Sequence, residues 1–341
     1  MRLAGTHLGA NLGCMPDGET GMRRVWINFL AAGAYDSAAA LETVSRPLPV
    51  DPAHPEEWRG EGEHWVPRGY EDHWLFRVRD ADALSFPTLG YAEEAIASYE
   101  TFCQLREAGD IAADVRFMVS LPLAESATRL FVTSAADFDA MLVAYQAAVE
   151  REIDTICRSI PAEELAIQWD VCIEVLAVEC DDQHPAFPWR PGEPPFDRYL
   201  SQIKHAASLV PAAAAMGLHL CYGDLGHSHL IEPPDLSVCV RLANAAHDAV
   251  ERPIDFYHVP VPRDRDDDAY FAPLSEWRAD GKLYIGLIHH TDGTEGSLKR
   301  LATAKRHAEN FGLATECGFG RRPAGTMDAL FETHRDLVAH L

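Results

Sequence analysis

From residue 115 onward the apolar and polar positions alternate between two periods. Short, nearly continuous apolar runs, Val115-Arg116-Phe117-Met118-Val119-Ser120-Leu121-Pro122 and Leu165-Ala166-Ile167-Gln168-Trp169-Asp170, have the length of buried strands. Runs of the same kind follow at 218–222, 254–261, 283–289 and 313–317. Between them lie longer stretches with apolar residues three and four apart, which predict helices over 136–160, 196–216, 236–250, 297–310 and 327–341; Ser134 marks the start of the first. Strands and helices that alternate in this way predict a parallel sheet with helical crossovers.

The first third of the chain is less regular. Residues 1–10 read as a short strand ending at Gly5-Thr6-His7, and Pro16-Asp17-Gly18-Glu19-Thr20-Gly21 as a polar loop of turn formers. The pattern over 23–40 suits a helix, and 91–109 predicts an amphipathic one with Ala95, Ile96, Tyr99, Phe102 and Cys103 on its apolar side. Residues 47–80, rich in Pro, Glu, His and Trp, read as an irregular excursion or hairpin packed on a rim, and 181–196 as a Pro-rich excursion. Five or six strands after Val115, with one or two before it, fit an α/β (β/α)8 TIM barrel better than an open doubly wound sheet. The expectation is therefore a single barrel domain over 1–341 with irregular insertions at about 47–80 and 181–196. No strand is followed by a glycine-rich dinucleotide fingerprint, which counts against a Rossmann domain.

Composition narrows the partners. A chain of 341 residues is ordinary for an α/β barrel, and its net charge of -24 with no Lys/Arg-rich run excludes a nucleic-acid footprint. The dense acidic run at 264–268 solvates the surface. The eight cysteines are irregularly spaced with no CxxC. The N-terminus does not resemble a signal peptide, and no apolar run approaches the roughly 18–20 residues of a membrane span. These features predict a cytoplasmic chain with reduced thiols and no membrane partner.

Candidate chemistry gathers where the predicted strands end, which in a barrel is where active sites lie. His219-Leu220-Cys221 follows an apolar run, and two residues two apart on a strand face the same side, so imidazole and thiolate could reach one soft metal ion. Asp170 ends the strand at 165–170, Tyr257-His258 precedes Pro260, and His289, His290 and Asp292 follow the strand at 283–289. The last strand ends in Glu316-Cys317, and Asp224, His227 and His229 follow Cys221 closely. A single cysteine in a strand is usually a small core hydrophobe. Recurrence of Cys, His and Asp at successive strand ends is not explained that way.

The succession Ile167-Gln168-Trp169-Asp170, His219-Leu220-Cys221-Tyr222, and Cys317-Gly318 before a basic pair resembles the C-terminal catalytic barrel of cobalamin-independent methionine synthase, in order over 86–323. That superfamily also holds the uroporphyrinogen decarboxylase barrel and single-barrel zinc-dependent thiol alkyltransferases, and the chain looks closest to single-barrel members. The resemblance implies Zn2+ held by His219, Cys221 and Cys317, with Asp170 binding the amino group of a thiol amino acid. The family's Glu ligand has no counterpart in Asp255-Phe256-Tyr257-His258; His258 is the natural replacement, with Asp255, His227 and His229 as alternatives. Asp170-Val171-Cys172 stands where the family has Asp-Glu-Pro, and no second barrel is present, which counts against homocysteine and folate.

The function expected is a zinc-dependent transferase moving a methyl or other alkyl group to a small thiol by way of a zinc-bound thiolate. His289 with Asp292 is the candidate acid pair for the leaving group. Asp17 and Glu19 in the 16–21 loop, and Asp224, His227 and His229, would face substrate, and Arg23 could take an anionic group. The alternative is a metal-dependent lyase, hydrolase or decarboxylase-type enzyme whose metal activates water or a carbonyl; a binding module with a structural metal ranks below both. The partners expected are a small-molecule thiol and an alkyl donor, and a homodimer is compatible with the sequence.

Overall fold

The structure is a computed structural model and describes residues 1–47, 72–185, 187, 193–223, 228–320, 322 and 325–341. The chain runs α1 (Arg2–Leu8), β1 (Cys14–Pro16), α2 (Asn28–Leu30), β2 (Leu41–Ser45), β3 (Leu75–Val78), α3 (Tyr91–Glu107) and β4 (Arg116–Pro122). It continues with α4 (Ala124–Thr128), α5 (Ala135–Ser159), β5 (Leu165–Val171), α6 (Ile173–Glu179), α7 (Pro195–Ser208) and β6 (Ala215–Leu220). The last part comprises α8 (Ser237–Ala249), β7 (Phe256–Pro260), α9 (Asp268–Phe271), β8 (Lys282–Ile288), α10 (Gly293–His307), β9 (Gly312–Thr315) and α11 (Met327–Val338).

Among the described residues, seven parallel strands form one curled sheet in the order β1-β4-β5-β6-β7-β8-β9, a half-barrel of α/β type, while β2 and β3 pair antiparallel as a separate hairpin. Among the described residues, seven strands thus stand where the sequence predicted eight, and no ladder joins β9 to β1. Pro16, with no N–H to give a ladder, lies in the edge strand β1, where sheets tolerate proline. At the top of that open seam the two exits pack directly: a Cβ at Gly320 would stand 2.7 Å from the Arg24 carbonyl oxygen.

Period-two alternation assigns each strand an inner and an outer row. Phe117, Val119, Leu121, Ile167, Trp169, Val171, Met216, Leu218 and Leu220 face outward and are buried. Arg116, Met118, Ser120, Gln168, Asp170 and His219 face inward and line a cavity of about 1510 Å³. The sequence shows these strands as apolar runs studded with polar residues because both rows are buried but only one meets the cavity.

Two early elements differ from expectation. Residues 1–10 form α1 rather than a strand; it packs on α11, with the His7 and Phe331 rings 6.0 Å apart. A short apolar run carries no periodicity able to decide between the two. The helix expected over 23–40 is broken into a 3-10 turn at Gly21–Val25, the short α2 and a π turn at Ala31–Tyr35, and the chain then enters β2. Trp26 interrupts it, with φ 52 in the left-handed region. Of the 47–80 excursion, β3 pairs with β2 as a hairpin would; 48–71 lie outside the described residues.

The exits of β4 and β5 are tied together by Ser126 of α4. Its hydroxyl accepts from the N–H groups of Cys172 and Ile173 at 3.0 and 3.1 Å and donates to the buried Glu174 carboxylate, whose other oxygen takes Ser126 N–H. Ser126→Ala leaves two buried N–H groups without an acceptor, so it should destabilise the protein by about 2 kcal/mol in urea denaturation with an unchanged slope.

Candidate functional site

His219 and Cys221 stand on the inner row at the exit of β6, and Cys317 follows β9 on the far side of the curl. One donor atom from each lies within 4.8 Å of the others, the one such group of three among the described residues. The two Sγ atoms are 3.9 Å apart, in hydrogen-bonding contact rather than a disulfide. Two sulfurs on one tetrahedral zinc, each bonded at ≈ 2.3 Å, would lie about 3.8 Å apart. His219 is buried, and its Nδ1 has no hydrogen-bond partner among the described residues. Donor chemistry, spacing and an unsatisfied buried nitrogen all fit a zinc ion.

The electrostatics describe what the protein does without a cation. Hydrogen bonding to the Cys172 and Cys317 thiols, together with burial, pushes the Cys221 thiol well above its usual range. Burial works against protonation of His219, but the Cys317 thiol and the Asp170 carboxylate outweigh it and raise its pKa. The cluster alone therefore holds its protons, and a dication would reverse that preference by displacing them.

His258 does not join the three donors. Its ring stacks on His219 with centroids 4.3 Å apart and planes at 25°, and its Nε2 meets the Thr315 carbonyl at 2.8 Å. Burial and the neighbouring His219 push it down to about 3, so the ring is neutral and Nε2–H is the donor to Thr315. Asp255, the alternative on the same strand, lies at the opposite end of β7, where its carboxylate accepts from Met216 N–H.

Asp170 is buried beside His219, its register partner across β5 and β6. Gln168 Nε2 donates to Oδ1 at 2.9 Å and Trp26 Nε1 to Oδ2 at 3.1 Å; burial raises its pKa against the pull of His219. The left-handed backbone at Trp26, which costs about 1–3 kcal/mol, turns this indole into the mouth. Asp17, buried at the end of β1, pairs with Arg23 and accepts from Glu19 N–H at 3.0 Å. Glu19 reaches toward Gly318, where an added Cβ would be 4.0 Å from its Oε2.

The expected pairing of His289 with Asp292 does not form. Asp292 is held by both Nη atoms of Arg300 at 2.6 and 2.9 Å, while His289 Nε2 meets the Val261 carbonyl at 2.8 Å. Burial and Arg300 lower the His289 pKa to about 4. Glu316 lies 3.6 Å from His289 Nδ1, and its other oxygen is 3.1 Å from His229 Nε2; Glu232 takes His229 Nδ1 at 3.0 Å. Asp224 and His227 lie outside the described residues.

Three residues lining the mouth were given no role from the sequence, and neither was Glu316, which lies outside that lining. Cys172 and Glu316 carried a signal, since one shares the face of Asp170 two residues on and the other adjoins Cys317. Gln168 lay inside the motif itself. Trp26 carried none, because nothing in the pattern marks a left-handed residue there.

An α/β half-barrel with a thiol–imidazole cluster at its mouth is the class that fold and site define. No protein-family model matches the chain, and no curated protein matches it. Among solved structures it is similar to a B12-independent methionine synthase from Shewanella sp. W3-18-1 in complex with selenomethionine, with TM-score 0.56, 13% identity, and coverage of 99% of this chain and 86% of that one. It is also similar to a protein from Listeria monocytogenes assigned as a vitamin-B12-independent methionine synthase, with TM-score 0.54, 15% identity, and coverage of 99% and 82%. At these identities the likeness is one of fold.

His229 supplies a pH signature. Burial opposes its charge, but Glu316 and Glu232 raise its pKa to about 9 from the ordinary 6.5 of histidine. A raised histidine stabilises the fold fully below its unfolded pKa and loses that contribution as pH rises through the folded one. Stability should thus fall between about pH 6.5 and 9, and in His229→Gln that slope should flatten in denaturation series across the same window.

Proposed function

We propose that this protein is a zinc-dependent transferase that moves a methyl or other alkyl group to a small thiol bearing an amino group. The observation that carries the reading is the meeting of His219, Cys221 and Cys317 at the mouth of a sheet shared in fold with B12-independent methionine synthases. Zinc bound there would act as a Lewis acid that keeps a substrate thiol in its thiolate form near neutral pH.

The chain's own residues would do the rest. Asp170, held by Gln168 and Trp26, presents a carboxylate beside the donors and binds the amino group of the thiol. Asp17, paired with Arg23, and Glu19 stand at the same rim. The Glu316 carboxylate between His229 and His289, on the residue before Cys317, takes the proton-handling place expected of His289 with Asp292. Trp26 and the 17–24 loop cover the mouth beside the seam and exclude water from the reacting atoms.

Purified protein should carry close to one equivalent of zinc by elemental analysis, and Cys221→Ser or Cys317→Ser should weaken retention by at least about tenfold. Zinc-edge absorption spectroscopy should gain one sulfur ligand on addition of cysteamine or L-cysteine. If none of cysteamine, L-cysteine, 2-mercaptoethanol or 3-mercaptopropionate adds a sulfur, alkyl transfer to a thiol is wrong and activation of water becomes the better reading. Asp170→Asn should keep the fold and the zinc yet bind cysteamine about 10–100-fold more weakly by calorimetry, with little change for 2-mercaptoethanol.

A further inference from the structure

Two of the three donors lean on one side chain that is not a donor. His219 stands in the ladder, paired with Asp170 on one side and His258 on the other, so its backbone is fixed. Its ring is not fixed by that, because the last side-chain torsion of histidine has only broad wells. The His258 ring supplies the restraint, stacked on it with centroids 4.3 Å apart and planes at 25°. At that distance, turning one ring would drive its edge into the face of the other.

The same ring reaches a second donor. Its Nε2 lies 2.8 Å from the Thr315 carbonyl, which can only accept, so Nε2 carries the proton. Thr315 is the last residue of β9, in register with Ile288, and Cys317 follows two residues beyond that pair. The Thr315 hydroxyl closes the step by donating to the Cys317 carbonyl at 2.6 Å. A chain of contacts therefore runs from the His219 ring through His258 and Thr315 to the backbone of Cys317. Cys221 is held separately: its N–H donates to the Val171 carbonyl at 3.0 Å, and its Sγ accepts from Gly223 N–H at 3.3 Å. The group of donors gathered among the described residues takes in His219, Cys221 and Cys317 and not His258.

We propose that His258 is a positioning residue of the metal centre: it holds the His219 ring and the turn bearing Cys317 from outside, and leaves the ion's fourth place to the substrate thiol. This rests on the zinc reading above and deepens it. Two cysteines and one histidine with an open position form a donor set of catalytic zinc sites, in which the open place takes water or substrate. Where the family resemblance implies a glutamate on the ion, this chain has an imidazole turned to a backbone carbonyl. A thiol entering the open place then has no protein ligand to displace.

Zinc-edge spectroscopy on whole, phosphine-reduced protein should count two sulfurs and one imidazole in the wild type, and the same in His258→Ala, His258→Gln and His258→Phe. Competition with a chromophoric chelator should find zinc held about 10–100-fold less tightly in His258→Ala. His258→Gln, which regains an N–H for Thr315, and His258→Phe, which regains a stacked ring, should each recover part of that loss. Urea denaturation of the metal-free proteins is the control for folding. Affinities of all three variants within about twofold of wild type overturn the proposal, and so do losses that only follow the loss of metal-free stability. Two imidazoles in wild-type protein also overturn it, since His258 would then be a ligand, and that count needs no variant to fold. These outcomes leave the metal reading standing, whereas wild-type protein that binds no zinc overturns this inference and the metal reading together.

Discussion

Everything at the mouth depends on the curl of one parallel sheet. Cys221 and Cys317 stand 96 residues apart in sequence, after strands separated by two others in the sheet, yet their sulfurs are 3.9 Å from one another. A flat sheet, with neighbouring strands about 4.8 Å apart, would hold these exits well beyond contact. The curl is maintained by burial on its convex side, where Trp169, Leu218, Val259 and Ile285 are sealed beneath helices. Side chains on the concave side are thereby free to be polar and convergent.

That convergence explains the unusual company of these groups. Asp170 is buried but not isolated, because Gln168 and Trp26 share its two oxygens. Glu316 is placed between two histidines of opposite character, one favouring its proton and the other neutral. Buried charges with this degree of satisfaction are compatible with a stable fold, whereas unpaired ones would not be. The large ionic assembly outside the sheet, in which Arg129 and Arg198 hold Glu125 and Asp182, follows the same rule and fixes the start of the 181–196 segment.

The sheet and two of the candidate donors, His219 and Cys221, were legible in the sequence because both follow period two. His219 with Cys221, and Asp170 at the end of its run, announce their side of the strand directly, and the helical crossovers between runs require parallel pairing. Helix α1 and the broken segment around Trp26 were not legible. Local apolar spacing there is shared by several conformations, and the choice is made by distant partners such as α11 and Asp170. The assignment of Asp292 failed for a related reason: proximity in sequence placed it beside His289, but Arg300, one helical face further along α10, offers a bidentate cation that imidazole cannot match.

The unpaired seam between β1 and β9 gives the candidate ion a second kind of importance. Strand β9 is one of the sheet's two edges, joined to the sheet on one side only among the described residues, and Cys317 follows it. An ion held jointly by Cys221 and Cys317 would tie that edge back to the middle of the sheet. Chain segments so tied enclose a long loop, and cross-links over long loops remove much of the unfolded chain's freedom. Coordination at the mouth would in this way act as a fastener for the last third of the polypeptide, binding its folding to the chemistry it performs.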